Sequence, residues 1–275
     1  MSDTIITFIG GGNMARSLIG GLIADGHTAA HLRVAEPDSA RRQALIDDFG
    51  VQAFADNATA ARGAAAVMLA VKPAMMATVS GELAGQIRSQ ASLVISIAAG
   101  VRSADLGRWL GDGVAIVRAM PNTPALVQTG ATALYANAVT NTEQHDLAET
   151  ILRAVGMVVW LPDEAQMDAV TALSGSGPAY FFYTMEAMQA AGESLGLEPR
   201  TAQLLTLETA LGAARMALES ADDAATLRQR VTSPGGTTAA AIEQLQAGEL
   251  APLYAKAMRA AAERAAAMGD ELGDQ

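Results

Sequence analysis

Short, uninterrupted apolar runs separated by amphipathic stretches organise the first half of the chain. Residues 5–9, 32–35, 51–54, 65–71, 93–98, 114–117, 132–135 and 157–161 read as strands. Continuous apolar runs closed by turn signals, such as 65–71 ending in Lys72 and Pro73, suit parallel strands covered on both faces. Between them, 18–23 reads as a helix stopped by Gly26, 39–49 as one stopped by Gly50, and 103–110 and 142–154 as two more. Alternation of strand and helix predicts a doubly wound sheet. Near Pro162 and Asp163 the pattern changes to helical periodicity alone, with helices over 179–195, 201–220, 224–231, 238–247 and 250–268. The breaks are Gly196, the pair Asp222 and Asp223, and the run Ser233, Pro234, Gly235, Gly236. The expected organisation is α/β, with a sheet domain over 1–162 and an all-helical domain over 163–275. The polar end, 269–275, reads as frayed.

Residues 204–218 carry apolar side chains around more than one face. A helix apolar nearly all round is buried on several sides. Either it is central to the monomer or it meets a second subunit; a small domain has little interior, so a dimer is the expectation.

The chain has 275 residues, about half apolar, with 4% aromatics. Its net charge is −11 without a basic cluster, which argues against a nucleic-acid surface. There is no cysteine, hence no disulfide framework, thiolate zinc site or cysteine nucleophile, and no metal site is expected. No apolar run approaches the roughly 20 residues of a membrane span, and no signal peptide is visible. A cytoplasmic protein is the default expectation.

The first strand leads into Gly10, Gly11, Gly12, Asn13, Met14 and Ala15, and a helix follows. Gly10, Gly12 and Ala15 fill the positions of the G-x-G-x-x-G/A fingerprint of Rossmann-type dinucleotide sites. Gly10 allows the tight turn, Gly12 lets the backbone approach a pyrophosphate, and Ala15 lets helix and strand pack closely. The phosphates then sit at a helix N-terminus. Glu36 ends the second strand, where an acid accepts the ribose 2′-hydroxyl and favours NADH. Arg41 and Arg42 follow a turn later, either to meet a 2′-phosphate or as a solvated helix face.

Titratable groups for acid catalysis are few. The three histidines, His27, His31 and His145, lie in the first half, and the two lysines are Lys72 and Lys256. Residues 163–255 hold no lysine or histidine, which weakens readings as an alcohol-oxidising dehydrogenase. The helical half instead offers hydroxyls and glycines at two helix starts, 173–180 and 231–238. Each is either a helix cap or an anion-receiving site for a carboxylate or phosphate.

The residues in order resemble the pyrroline-5-carboxylate reductase family nearly end to end. The resemblance rests on 9–15, 70–73, 96–101, 118–125, 174–180 and 233–238, the last two being the most specific. It implies a Rossmann-type sheet domain followed by a helical dimerisation domain. The implied reaction is hydride transfer from NADPH or NADH to the C=N carbon of 1-pyrroline-5-carboxylate, giving L-proline. It also implies that Ser233, Gly236 and Thr237 hold the substrate carboxylate, with Gly235 and Ser174 beside it. Thr238 is the implied catalytic residue, its hydroxyl hydrogen-bonding the ring nitrogen. Met120, Pro121 and Asn122 then neighbour the nicotinamide, and Ala70, Val71, Lys72, Pro73 and Ala98 line the cofactor cleft. Gly10, Gly11, Gly12, Asn13 and Met14 take the phosphates, and Asn57 reaches the adenosine ribose. Lys72 has a second reading as a strand-end surface charge. A homodimer through the helical domain, and rings of such dimers, are implied as assemblies. The alternatives are a reductase of another cyclic imine acid and a non-catalytic NAD(P)-binding protein.

Overall fold

The computed structural model describes residues 4–273. They fold into two compact units. The first runs to Ser176 and takes in the chain again from Ala260; the second is Gly177–Arg259.

The first unit is built on an eight-stranded sheet. Its strands are β1 (Ile6–Ile9), β2 (Leu32–Ala35), β3 (Gln52–Phe54), β4 (Ala66–Leu69), β5 (Leu93–Ser96), β6 (Ile116–Met120), β7 (Gly130–Ala136) and β8 (Gly156–Trp160). The order is β3-β2-β1-β4-β5-β6-β7-β8. All neighbours are parallel except β6 and β7. The antiparallel step follows from the connection. Residues 121–129 hold Pro121, Pro124 and a 3₁₀ turn over Thr123–Val127. That is too short for the crossover of a dozen or more residues that a parallel pair needs.

The helices of this unit are α1 (Asn13–Ala24), α2 (Ser39–Phe49), α3 (Asn57–Ala61), α4 (Met76–Gln90), α5 (Ser103–Leu110), α6 (Thr142–Arg153) and α7 (Met167–Val170). Helices cover both faces of the sheet, and the pleat sends alternate side chains to each. Phe8, Met68 and Ile95 pack into one apolar core with Leu18, Ile19 and Ile151. Ile9, Leu69 and Val94 pack into the other with Val79, Leu83 and Leu106. Hence the apolar runs are continuous rather than alternating. Helix α4 is one that the apolar pattern above leaves unassigned. Its buried residues Met76, Val79, Ser80, Leu83 and Ile87 recur at helical spacing, but Gly81 and Gly85 dilute the stripe.

The last helix, α12 (Leu250–Gly273), corrects the expectation of a frayed end as far as Gly273; the last two residues lie outside the described part. Its final turns are tied to the start of α5. Arg102 Nη2 lies 2.6 Å from Asp270 Oδ1, and Arg108 Nη2 donates to the Gly273 carbonyl at 2.5 Å.

The second unit consists of α8 (Gly177–Ser194), α9 (Pro199–Glu219), α10 (Ala224–Arg230), α11 (Thr237–Ala247) and the start of α12. Helices α8 and α9 pack on one another, with Gly192 against Ala202. Tyr254 Oη lies 3.2 Å from Thr184 Oγ1. The unit buries little else. In α9 only Ala202 and Thr206 are buried, while Leu205 and Leu211 are 54% exposed. Phe181, Phe182 and Tyr183 are likewise exposed on α8. Among the described residues, no helix is long and apolar enough to cross a membrane.

Candidate functional site

The parallel strands end along one edge of the sheet, and the residues singled out from the first 122 positions collect there. At the end of β1, Gly10 has φ +103°. A Cβ there meets the Ala70 carbonyl oxygen at 2.7 Å, so both the turn and the close approach of β4 require glycine. The turn is stitched on both sides. Gly10 N donates to Ala35 O at 2.9 Å, and Ala70 N donates to Ile9 O at 2.9 Å. Gly12 is the N-cap of α1, with no side-chain cap bond. The place a Cβ would take on Gly12 has nothing within 4 Å. The helix therefore opens on space, led by the exposed Asn13 and the half-buried Met14. Uncapped N–H groups at the positive end of the dipole fit a pyrophosphate. Ala15 is fully buried against the sheet, as the fingerprint's last position requires.

Glu36 follows β2 and is 6% exposed. Its Oε2 accepts from Gly11 N at 3.1 Å and its Oε1 from Asp38 N at 3.1 Å. Arg42 donates Nη1 to the carbonyls of Glu36 and Pro37, each at 2.7 Å. Asn57, just after β3, gives Nδ2 to Glu82 Oε2 at 3.0 Å. After β4 come the half-buried Ala70 and Val71, the exposed Lys72, and Pro73 opening a 3₁₀ turn. Ala98 is buried beyond β5, its N–H given to Ser96 Oγ at 3.3 Å.

Met120 ends β6, and Pro121 beyond it is buried. Asn122 is a junction. Its Oδ1 accepts from Ala131 N at 2.9 Å, at the start of β7. Its Nδ2 donates to Ser174 Oγ at 3.2 Å and to Ser174 O at 3.3 Å. Ser174 sits in a π-turn over Thr171–Gly175 that continues α7, closed by Ser176 N donating to Thr171 O at 2.8 Å. Such turns inside helices are frequent at functional sites. Gly175 lets Met120 reach the turn, since a Cβ there meets Met120 Cε at 2.4 Å. The amide of Asn122 thus holds the β6 loop, β7 and the Ser174 turn in register.

A cluster that the sequence reading does not single out lies beside this edge. Arg118 of β6, 8% exposed, places Nη1 2.6 Å from Glu164 Oε1. Glu164 also accepts from Ser103 N at 2.7 Å and from the Ser103 hydroxyl. Burial pushes the Glu164 carboxyl upward, but the bonds from Ser103 and Arg118 outweigh it and hold it below its ordinary value. The sequence signal for a partner of this kind is an arginine directly after the apolar run 114–117.

Ser233, Gly235, Gly236, Thr237 and Thr238 lie in the second unit. Gly235 has φ +70°, and Gly236 N donates to Ser233 O at 3.0 Å, closing a tight turn. Gly236 is the N-cap of α11 and has no side-chain cap bond. Thr237 and the half-buried Thr238 are the helix's first residues. Neither hydroxyl serves as the N-cap, so the turn presents N–H groups and hydroxyls together, the arrangement that receives a carboxylate.

The chain matches two family models. Residues 164–268 match one described as pyrroline-5-carboxylate reductase dimerisation, and 5–100 match one described as NADP oxidoreductase, coenzyme F420-dependent. It is 50% identical over 273 residues to a pyrroline-5-carboxylate reductase of Pseudomonas aeruginosa, covering 99% of this chain and 100% of that one. Its structure resembles that of a pyrroline-5-carboxylate reductase from Coxiella burnetii. The TM-score is 0.93 at 48% identity, over 97% of this chain and 98% of the other. It also resembles a Plasmodium falciparum pyrroline carboxylate reductase with NADP bound. There the TM-score is 0.87 at 28% identity, over 98% and 99% of the two chains.

Proposed function

The chain belongs to the pyrroline-5-carboxylate reductase family, and from that premise we propose how its residues divide the work. The protein is an NAD(P)H-dependent oxidoreductase acting on a C=N group. It reduces 1-pyrroline-5-carboxylate to L-proline, the last step of proline synthesis. The observation that carries this reading is the match over nearly the whole chain, which takes in both the glycine turn and the α11 turn.

The cofactor, NADPH or NADH, supplies the hydride. Gly10, Gly11, Gly12, Asn13 and Met14 form its phosphate cradle, and Glu36 and Asn57 its adenosine end. Ala70, Val71, Lys72, Pro73 and Ala98 line the cleft, with Met120 and Pro121 toward the nicotinamide. Asn122 has a further part: its hydrogen bonds to Ala131 and Ser174 make it a positioning residue for the Ser174 turn.

A protonated C=N bond is already a good hydride acceptor, so it needs orientation more than a strong acid. Ser233 and the N–H groups of Gly236 and Thr237 bind the carboxylate, with Gly235 allowing the turn. Thr238 Oγ1 hydrogen-bonds the ring nitrogen and holds its proton there. The ring carbon gains the hydride, its π bond becomes the nitrogen lone pair, and the nitrogen keeps its proton as the amine of proline.

Residues 1–162 hold the cofactor in this reading, and 163–275 provide substrate binding and subunit contact. A homodimer forms through the helical domain, supported by its exposed apolar side chains and the dimerisation model. Dimers assemble further into rings, and the enzyme works in the cytoplasm, where the NAD(P)H it consumes is regenerated. The test is an NAD(P)H oxidation assay with pyrroline-5-carboxylate and its six-membered homologue side by side. Faster turnover of the five-membered ring is expected. Turnover of the six-membered ring alone moves the substrate to the larger imine acid, and turnover of neither removes the reductase reading.

A further inference from the structure

Within the first unit, the helical segment 164–175 is fastened to the end of β6 at two points. At its start, Glu164 Oε1 lies 2.6 Å from Arg118 Nη1. Near its end, Ser174 Oγ and Ser174 O accept from Asn122 Nδ2 at 3.2 and 3.3 Å. The two ties run in the same direction along both partners. Four extended residues, 118 to 122, span roughly 13 Å, and ten helical ones, 164 to 174, roughly 15 Å. The lengths match, so the segment lies along the strand end as a splint. It is also continuous. A 3₁₀ turn over Glu164–Gln166 leads through α7 into the π-turn, and the joining residues Met167 and Thr171 keep right-handed helical angles. A shift at Glu164 therefore reaches Ser174.

Glu164 does more than balance a charge. Besides Arg118 it accepts from Ser103 N at 2.7 Å and from the Ser103 hydroxyl. Ser103 N is one of the N–H groups that α5 leaves without a partner inside the helix, and a carboxylate is favoured there. Neutralising Arg118 needs only one of these bonds; the other two fix where the carboxylate sits. Arg118 does not give way either, being 8% exposed and paired in register with Ser96 on β5 and Tyr135 on β7.

We propose that Glu164 is a positioning residue for the reduction: tied to Arg118 and Ser103, it sets the start of the 164–175 splint and thereby the place of Ser174 beside Met120, Pro121 and Asn122. The proposal rests on the reductase reading, in which those residues neighbour the nicotinamide. Glu164 acts only through the segment it anchors.

The test is steady-state reduction of pyrroline-5-carboxylate by the full-length protein, with kcat counted per NADPH-binding site from a fluorescence titration. Counting per site removes any loss that is only a loss of folded protein. Glu164→Ala cuts all three bonds and lowers kcat about tenfold, while the KM for the imine acid and the Kd for NADPH stay within about twofold. Glu164→Gln keeps an acceptor for Ser103, covers the case in which the alanine variant does not fold, and lowers kcat about threefold. Glu164→Ala added to Asn122→Ala lowers kcat no further than Asn122→Ala alone, because the Ser174 end is already free. An unchanged kcat per site overturns the proposal. So does a loss confined to KM, or effects of the two changes that multiply. A wild type that turns over no imine acid overturns the reductase reading itself, so the two failures are told apart.

Discussion

The two units treat their apolar residues in opposite ways. In the first, β1, β4 and β5 bury every side chain, because helices cover both faces of the sheet. In the second, Leu205 and Leu211 of α9 and Phe182 of α8 lie largely exposed in the single chain. A sheet roofed on both sides completes its own core. A few helices without a central layer do not, and an apolar surface of this kind marks a place for a partner. The contrast agrees with the proposed reading, in which the first unit serves a ligand and the second, matched by a dimerisation family model, meets another copy of the chain.

The strongest challenge to that contrast is a charge on the exposed face of α9. Leu205→Glu combined with Leu211→Glu removes self-association, at a cost of about 4 kcal/mol for burying unpaired charge. Sedimentation velocity reads it as a monomer. Ile46→Glu, a half-exposed site on α2, leaves the oligomer as it was. Equal effects from both changes dissolve the distinction between the units.

Next in size is Gly10→Val. Strain at φ +103° and the clash with Ala70 O weaken dinucleotide binding by about 3 kcal/mol, roughly a hundredfold. Fluorescence titration measures this, and the oligomer is unchanged. Unaltered binding removes the turn from the cofactor site.

Thr238→Ala acts on the other unit. It lowers kcat by about ten- to a hundredfold, the low end of acid–base contributions, while the dissociation constant of the cofactor is nearly unchanged. Steady-state kinetics beside a binding titration checks the pair. Wild-type turnover takes Thr238 out of the mechanism.

The smallest effect is on stability. Glu164→Gln leaves Arg118 buried without its counter-charge and costs about 2 kcal/mol at neutral pH. The Glu164 carboxyl is held below its ordinary value in the folded chain. Its contribution is therefore fully present above the titration range of an unfolded glutamate. It is lost as the pH falls through the lowered folded value. Denaturant midpoints of wild type and variant converge on acidification; a gap that widens toward acid reverses the sign and the assignment.

The strands, the glycine turn and the helix starts were legible in the chain because each is written in neighbouring residues. The run at residues 5–9 followed by Gly10 needs no distant partner to be read as a strand and a turn. The start of α11 at Gly236 and Thr237 is legible for the same reason, lying within one residue of its expected place. Helix α4 went unread although its apolar spacing is helical, because Gly81 and Gly85 thin its stripe. The antiparallel direction of β7 was unread, although residues 132–135 read as a strand, because direction depends on how a loop closes, and apolar runs carry no direction.

By itself, then, the sequence determined the strands and their order along the chain, the dinucleotide fingerprint and the family. Periodicity and turn chemistry act over a few residues and survive without a fold. Only the tertiary structure decided which polar groups meet. Asn122 finds Ser174, Ser103 finds Glu164, and Glu36 closes on Gly11 across 25 positions of chain. Those pairings follow from the packing of strand ends, turns and helix starts along the sheet, which brings groups together irrespective of their separation in sequence. Hydrogen bonds reach only about 3 Å, so they report that packing and nothing more local.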